Sequence, residues 1–214
     1  MENNTEIHSL FPTPLLVSSF PPSFSRIIPW LDSQPMESLE AASNSINGTT
    51  SENTYILNED ECLEIKNFLL EKSLILGKSL GYKCDHYKIT QSWITHKRPN
   101  QSHHPHMHTN SLFSGVFFYG NQINSIISSS ILLHKPPSIL SFHITNDEDL
   151  PPTPYSMATY PFTPSPGDFI IFPSSLIHSV LENNTNEIRK SLAFNIVPVE
   201  GFGSDRNLNR LKFN

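Results

Sequence analysis

Apolar and polar positions change their rhythm near residue 86. Beyond it, short apolar segments with period-two alternation are separated by turn residues. This pattern predicts strands over 86–96, 112–119, 125–133, 138–144, 168–172, 176–181 and 189–197. Their number and spacing predict a mainly β fold, a β-sandwich or jelly roll. Pro166-Gly167-Asp168 forms a tight turn feeding the strand over 168–172. Ahead of residue 86, the prolines in 7–20 predict an edge strand or extended arm, and 23–31 a short helix. The polar stretch 33–54 reads as a mobile surface loop. A longer helix is expected over 59–80. Asn58 would cap it, Glu61 would close a capping box, and Gly81 would end it. Its apolar positions Leu63, Phe68, Leu70, Leu74 and Leu76 suit a buttress packed on a sheet. The Pro-rich stretch 145–165, with Asp147, Glu148 and Asp149, reads as a lid or rim. With no repeat or linker, the chain is expected to be one domain, 1–214. An N-terminal arm and helices occupy 1–85, and a β core 86–200.

Composition agrees with this picture. The chain has 214 residues, 37% hydrophobic, 16% charged and 18 of them proline, so it can bury one core between many turns. The net charge of −6 and the scattered basic residues argue against a nucleic-acid surface. The two cysteines, Cys62 and Cys84, lie outside any CxxC spacing and read as small apolar residues. No signal segment or membrane-length apolar run is seen, so a cytoplasmic location is expected.

The candidate chemistry lies in the histidines. Four of ten fall in His103-His104-Pro105-His106-Met107-His108. Neutral imidazole is a common ligand for iron, zinc, copper and nickel. In an extended segment, residues two apart share a face, so His106 and His108 can aim at one ion. His104 and His106 have the same spacing. His178, on an otherwise apolar strand, is the best distant third ligand. His103 reads as a solvated loop residue and His104 as a support behind a ligand. His8, His86, His96, His134 and His143 read as ordinary structural residues. Arg189 stands 11 residues after His178. By period two, Arg189, Ser191, Ala193 and Asn195 share a polar face suited to a pocket wall. Lys190, Leu192 and Phe194 share the other face, which turns apolar after its first residue and suits the helical layer. Arginine with a nearby hydroxyl can grip a carboxylate by charge-assisted hydrogen bonds; an ion pair with Glu187 is the plainer use.

Several segments together resemble a family of 2-oxoglutarate- and Fe(II)-dependent oxygenases. They are Ser92-Trp93-Ile94-Thr95, the run from His106 to Tyr119, Pro166 to Pro173, His178, and Arg189 to Asn195. The opening Phe11-Pro12-Thr13-Pro14 extends the likeness over nearly the whole chain. The resemblance implies a double-stranded β-helix, jelly-roll or cupin-like, with Fe(II) held between its sheets. It matches His106 and His178 to the iron-binding histidines. It matches Arg189, assisted by Ser191, to the residue that pairs the distal carboxylate of 2-oxoglutarate. Asn195 and Tyr119 would be further pocket contacts. Where the wider superfamily has a carboxylate two residues after the first histidine, this chain has His108. Either His108 ligates, giving a three-histidine set, or it stands behind the ligands and water takes its place; the spacing favours ligation.

The activity implied is that of a dioxygenase using Fe(II), 2-oxoglutarate and O2. It would hydroxylate a small-molecule or peptide substrate and release succinate and CO2. A three-histidine cupin-type metalloenzyme that does not use 2-oxoglutarate is a second reading, although residues 109–113 lack the downstream glutamate of many cupins. A non-catalytic jelly-roll module holding a structural zinc is a third; it would need a closed four-ligand site. Neither a membrane nor a nucleic-acid partner is expected, and no motif fixes an oligomeric state.

Overall fold

A computed structural model describes residues 6–38, 47–120, 130–136 and 151–213. Its strands are β1 (Leu16–Ser19), β2 (Met36–Ser38), β3 (Thr49–Ser51), β4 (Tyr87–Lys97), β5 (His103–His106), β6 (Phe113–Phe118), β7 (Ile131–His134), β8 (Thr159–Phe162), β9 (Asp168–Pro173), β10 (His178–Val180) and β11 (Arg189–Pro198). The helices are α1 (Ile28–Asp32) and α2 (Leu63–Ser79), with a 3-10 segment over Pro22–Ile27 before the first and two, Ile56–Asn58 and Asp60–Cys62, before the second. Seven strands form a major sheet in the order β1-β9-β6-β11-β4-β3-β2, and four a minor sheet, β5-β10-β7-β8. All pairings within both sheets are antiparallel. This is the mainly β jelly roll expected from the spacing.

The central strands β6 and β9 of the major sheet are largely apolar on both faces because each face is covered. Phe113, Phe117, Phe169, Ile171, Leu192, Phe194 and Ile196 join Ile65, Leu69 and Leu76 of α2 in the larger core cluster. Val116, Phe118, Ile170 and Phe172 join Ile131, Leu133 and Leu176 in a smaller one. The period-two division of β11 expected from sequence is therefore met, with Leu192 and Phe194 on the helical side. Central β6 is buried at every position. Strands covered on both faces lose the polar alternation of half-exposed ones.

At Gly115, backbone and ring approach too closely for any side chain. An added Cβ would strike the Phe194 ring and lie 2.7 Å from the Ile170 carbonyl oxygen. Gly115→Ala is expected to destabilise the fold by about 1–3 kcal/mol through overpacking. Urea denaturation would show this as a lower midpoint at unchanged slope.

Four expectations are corrected. Residues 33–54 are not simply a loop, because β2 and β3 extend the major sheet there. Thr50 and Ser51 are buried, and the Ser51 hydroxyl accepts a 3.0 Å hydrogen bond from the Ile94 amide. Hydroxyls replace the apolar alternation that would have marked these strands. Next, α2 begins at Leu63 rather than 59, after a 3-10 turn over Asp60–Cys62, and has no side-chain cap. The Asn58 side-chain oxygen Oδ1 instead accepts from Lys66 Nζ at 2.7 Å. Leu63 is exposed; Ile65 and Leu69 carry the buried stripe. Thirdly, β8 lies within the Pro-rich stretch 145–165 and includes Pro161. Fourthly, β5 was not anticipated, and it includes Pro105. Both proline-bearing strands are edges of the minor sheet, where a missing amide donor is tolerated. The expected strand over 138–144, His143 and the acidic residues 147–149 lie outside the described residues. Both cysteines are free thiols. Among the described residues no helix is long and apolar enough to cross a membrane.

Candidate metal centre

The minor sheet brings the distant histidines together. β10 pairs with β5 so that His178 stands directly opposite His106. Two residues beyond His106, the His108 amide donates to the Ser174 carbonyl at 3.0 Å, which turns its side chain back toward the pair. The ring centroids of His106 and His178 are 4.2 Å apart, those of His106 and His108 5.4 Å, and those of His108 and His178 5.1 Å. One nitrogen from each of the three rings lies within 4.8 Å of the others.

Two of these rings are oriented from behind. His106 Nδ1 donates to the His104 carbonyl at 2.9 Å, and His178 Nδ1 donates to the Leu176 carbonyl at 3.0 Å. A protonated Nδ1 leaves the Nε2 lone pair bare, the arrangement that fixes histidine tautomers in metal sites. Burial holds the rings neutral. It lowers His178 to about 3 and His108 to about 4, and it lowers His106 as well; the neighbouring imidazoles add to the shift at His178 and His108. Three convergent neutral nitrogen donors on two strands and a turn fit a divalent transition metal.

The aromatic walls around the cluster are packed. Phe172 meets the His178 ring edge-on at 4.9 Å, and Trp93 stacks on His108 at 5.6 Å. His104 stands behind His106 as expected, though through its backbone, while His103 is not a solvated loop residue. The His103 ring stacks on His106 at 4.0 Å, whereas His104 is exposed and contributes only its carbonyl. The cause is local: Pro105 and a register shift between His178 and Val180 put residues 103 and 106, rather than 104 and 106, on one side.

A cavity of about 390 Å³ opens beside the cluster, lined by His106, His108, Trp93, Gln91, Thr95 and Asn195 among others. Asn195 Oδ1 accepts from Ser114 at 2.8 Å, which fixes that amide in the floor. On the same face of β11, but not among the residues that line this cavity, Arg189 is 5% exposed and its guanidinium donates to the Ser191 hydroxyl at 3.1 Å. It also lies over the Phe118 ring at 5.2 Å. Tyr119 belongs elsewhere. It projects to the helical side of the sheet with Phe117 and hydrogen-bonds His96 Nε2 at 3.1 Å. Strand β6 alternates strictly, so a residue next to inward-facing Phe118 must face outward.

Lys97 is not among the residues expected at the site, because the strand predicted over 86–96 stops short of it; β4 runs one residue further. Period two from Trp93 through Thr95 places Lys97 on the cavity side, opposite Arg189 in the register.

Residues 91–195 match the family described as "Putative 2OG-Fe(II) oxygenase". No curated protein matches the chain. Among solved structures, the α-ketoglutarate-dependent epimerase SnoN from nogalamycin biosynthesis is similar with a TM-score of 0.63. Its identity to the chain is 10%, over 88% of this chain and 77% of that one. A Pseudomonas putida prolyl-4-hydroxylase gives a TM-score of 0.59 at 11% identity, covering 87% and 93%. HygX from Streptomyces hygroscopicus, with nickel, 2-oxoglutarate and hygromycin B bound, gives 0.59 at 11%, covering 88% and 84%. At these identities the likeness is one of fold.

Proposed function

We propose that this chain, which belongs to the 2OG-Fe(II) oxygenases through residues 91–195, is a 2-oxoglutarate- and Fe(II)-dependent dioxygenase. His106, His108 and His178 are its metal ligands. Arg189 and Ser191 anchor the distal carboxylate of the cosubstrate. The observation that carries this reading is the three-nitrogen cluster, and a buried Arg189–Ser191 pair on β11 of the other sheet supports it. A structural zinc site accounts for the cluster alone.

The chemistry supplied by Fe(II) with 2-oxoglutarate and O2 is oxidative decarboxylation to succinate and CO2, coupled to hydroxylation of a C–H bond. The chain itself binds and orients. The Leu176 and His104 carbonyls hold His178 and His106 in the tautomer that presents Nε2. Arg189 offers a planar fork to a carboxylate in a site walled from water by Phe118, where a charge-assisted hydrogen bond is strongest. Asn195 and Trp93 border the open part of the cavity, where a substrate would lie. Three neutral ligands leave the metal's full double charge in place, one unit more than a set containing a carboxylate. Anionic cosubstrate binding is correspondingly favoured.

Anaerobic addition of Fe(II) and 2-oxoglutarate should produce a metal-to-ligand charge-transfer absorption band. Arg189→Ala should weaken 2-oxoglutarate binding about 10- to 100-fold, the effect of losing a charge-assisted pair worth about 1.5–3 kcal/mol. A wild-type protein that binds Fe(II) but develops no band would overturn the assignment.

A further inference from the structure

Lys97 is the most unusual side chain in the core. It ends β4 fully buried, at 0% exposure, although lysine is almost never buried without a partner. The ion pairs among the described residues are His8–Glu6, Arg26–Glu64, Lys72–Glu71 and Lys190–Asp32, so none brings a carboxylate to Lys97. Its ammonium has three donors. One goes to the Asn47 carbonyl, and no other hydrogen bond from Nζ is present among the described residues.

Its position explains what such a group can do. Lys97 and Arg189 are direct register partners on adjacent antiparallel strands. Such partners project to the same side, with Cβ atoms about 4.5–5.5 Å apart. Lys97 follows Trp93 and Thr95, which line the cavity, on the same face of β4. Burial and the Arg189 charge lower its pKa to about 8, which still leaves it mostly protonated at neutral pH. Two neighbouring buried cations on one face raise the affinity of that face for an anion.

We propose that Lys97 is a second cation of the cosubstrate subsite, so that the distal carboxylate of 2-oxoglutarate is held from two strands, by Arg189 with Ser191 on β11 and by Lys97 on β4. This rests on the reading of the cavity as a 2-oxoglutarate site. It makes Lys97 a determinant of selectivity for dicarboxylates over monocarboxylates. The plainer role is structural: Lys97 ties the turn at Asn47-Gly48 to β4, and a Cβ on Gly48 would lie 3.0 Å from the lysine Cδ. That role makes no distinction between ligands.

The test compares 2-oxoglutarate with 2-oxopentanoate, which has a methyl group in place of the distal carboxylate. Binding to the full-length Mn(II)-loaded protein is followed by calorimetry and by the fluorescence of Trp93, which stacks on His108 at the cavity. Wild type should prefer 2-oxoglutarate. Lys97→Met should reduce that preference at least tenfold by weakening 2-oxoglutarate alone, while Lys97→Arg should keep most of it. If Lys97→Met does not fold, Lys97→Gln retains a donor for the Asn47 carbonyl and should show the same loss. An unchanged preference in the neutral variants, with Arg189→Ala still reducing it, overturns the role of Lys97 and leaves the 2-oxoglutarate reading intact. A wild type with no preference overturns both.

Discussion

Replacing His178 by alanine is expected to lower Fe(II) affinity at least a hundredfold and to eliminate the charge-transfer band with 2-oxoglutarate. The size of the effect follows from where the ligands originate. His106 and His108 come from one segment, and His178 is the sole member of the cluster from a distant one. It is 3% exposed, is paired with His106 on one side and Leu133 on the other, and has its ring set by the Leu176 carbonyl. Losing even the group behind a metal ligand typically costs 10- to 100-fold in affinity, and losing the ligand itself costs more. The remaining pair would lie on a short segment ending at an edge strand. Metal content after equilibrium dialysis gives the direct measurement. His104→Ala is the informative control, since that ring is exposed and only its backbone carbonyl supports the cluster. It should retain metal within about twofold. A His178→Ala protein that keeps its metal would mean that the three-histidine cluster is not the site.

The parts of this arrangement that could be read in the sequence are those set by local period. The alternation of Leu192, Phe194 and Ile196 against Arg189, Ser191 and Asn195 is a property of one strand, and the fold preserves it. The HxH spacing of His106 and His108 is local in the same way. His178 and Arg189 could be associated with it only through the order of motifs along the chain, because their approach depends on strand pairing between segments 70 or more residues apart. Misreadings arose where geometry departs from the simple period. Pro105 and the β10 irregularity bring the His103 ring onto His106, and no pattern of residue types marks that shift. Tyr119 was placed in the pocket on resemblance, although the alternation of β6 puts it with Phe117 and against the helical layer. Lys97 was legible by the same alternation, from Trp93 through Thr95. It was missed because a lysine at a strand end ordinarily marks the approach of solvent.

The crowding of imidazoles also fixes how the metal-free protein should respond to acid. In the unfolded chain each histidine titrates near 6.5. In the fold, burial lowers His178 to about 3 and His108 to about 4, and it lowers His103, His106 and His96 too. Mutual repulsion adds to the shift within the cluster, since a second proton there would sit beside the first. Below pH 6.5 the unfolded chain therefore binds protons that the folded chain refuses, and stability must fall as pH falls. Above 6.5 both states are neutral at these groups and the contribution is level. The sensitive window runs from about 6.5 down to about 4. Each strongly shifted ring contributes up to about 1.4 kcal/mol per pH unit within it. With His103, His108 and His178 acting together, the slope should reach about 2–4 kcal/mol per unit, enough to unfold an ordinary domain within two or three units. Urea midpoints of metal-free protein should be flat between pH 7.5 and 6.5 and fall steeply by pH 5. A divalent ion occupies the same lone pairs that acid would protonate, so saturating Mn(II) should raise the midpoint and move the onset of the fall to lower pH. A metal-free midpoint that holds constant to pH 5 would mean that the rings are not held neutral by the fold. The preorganisation assigned to the Leu176 and His104 carbonyls would then lose its basis.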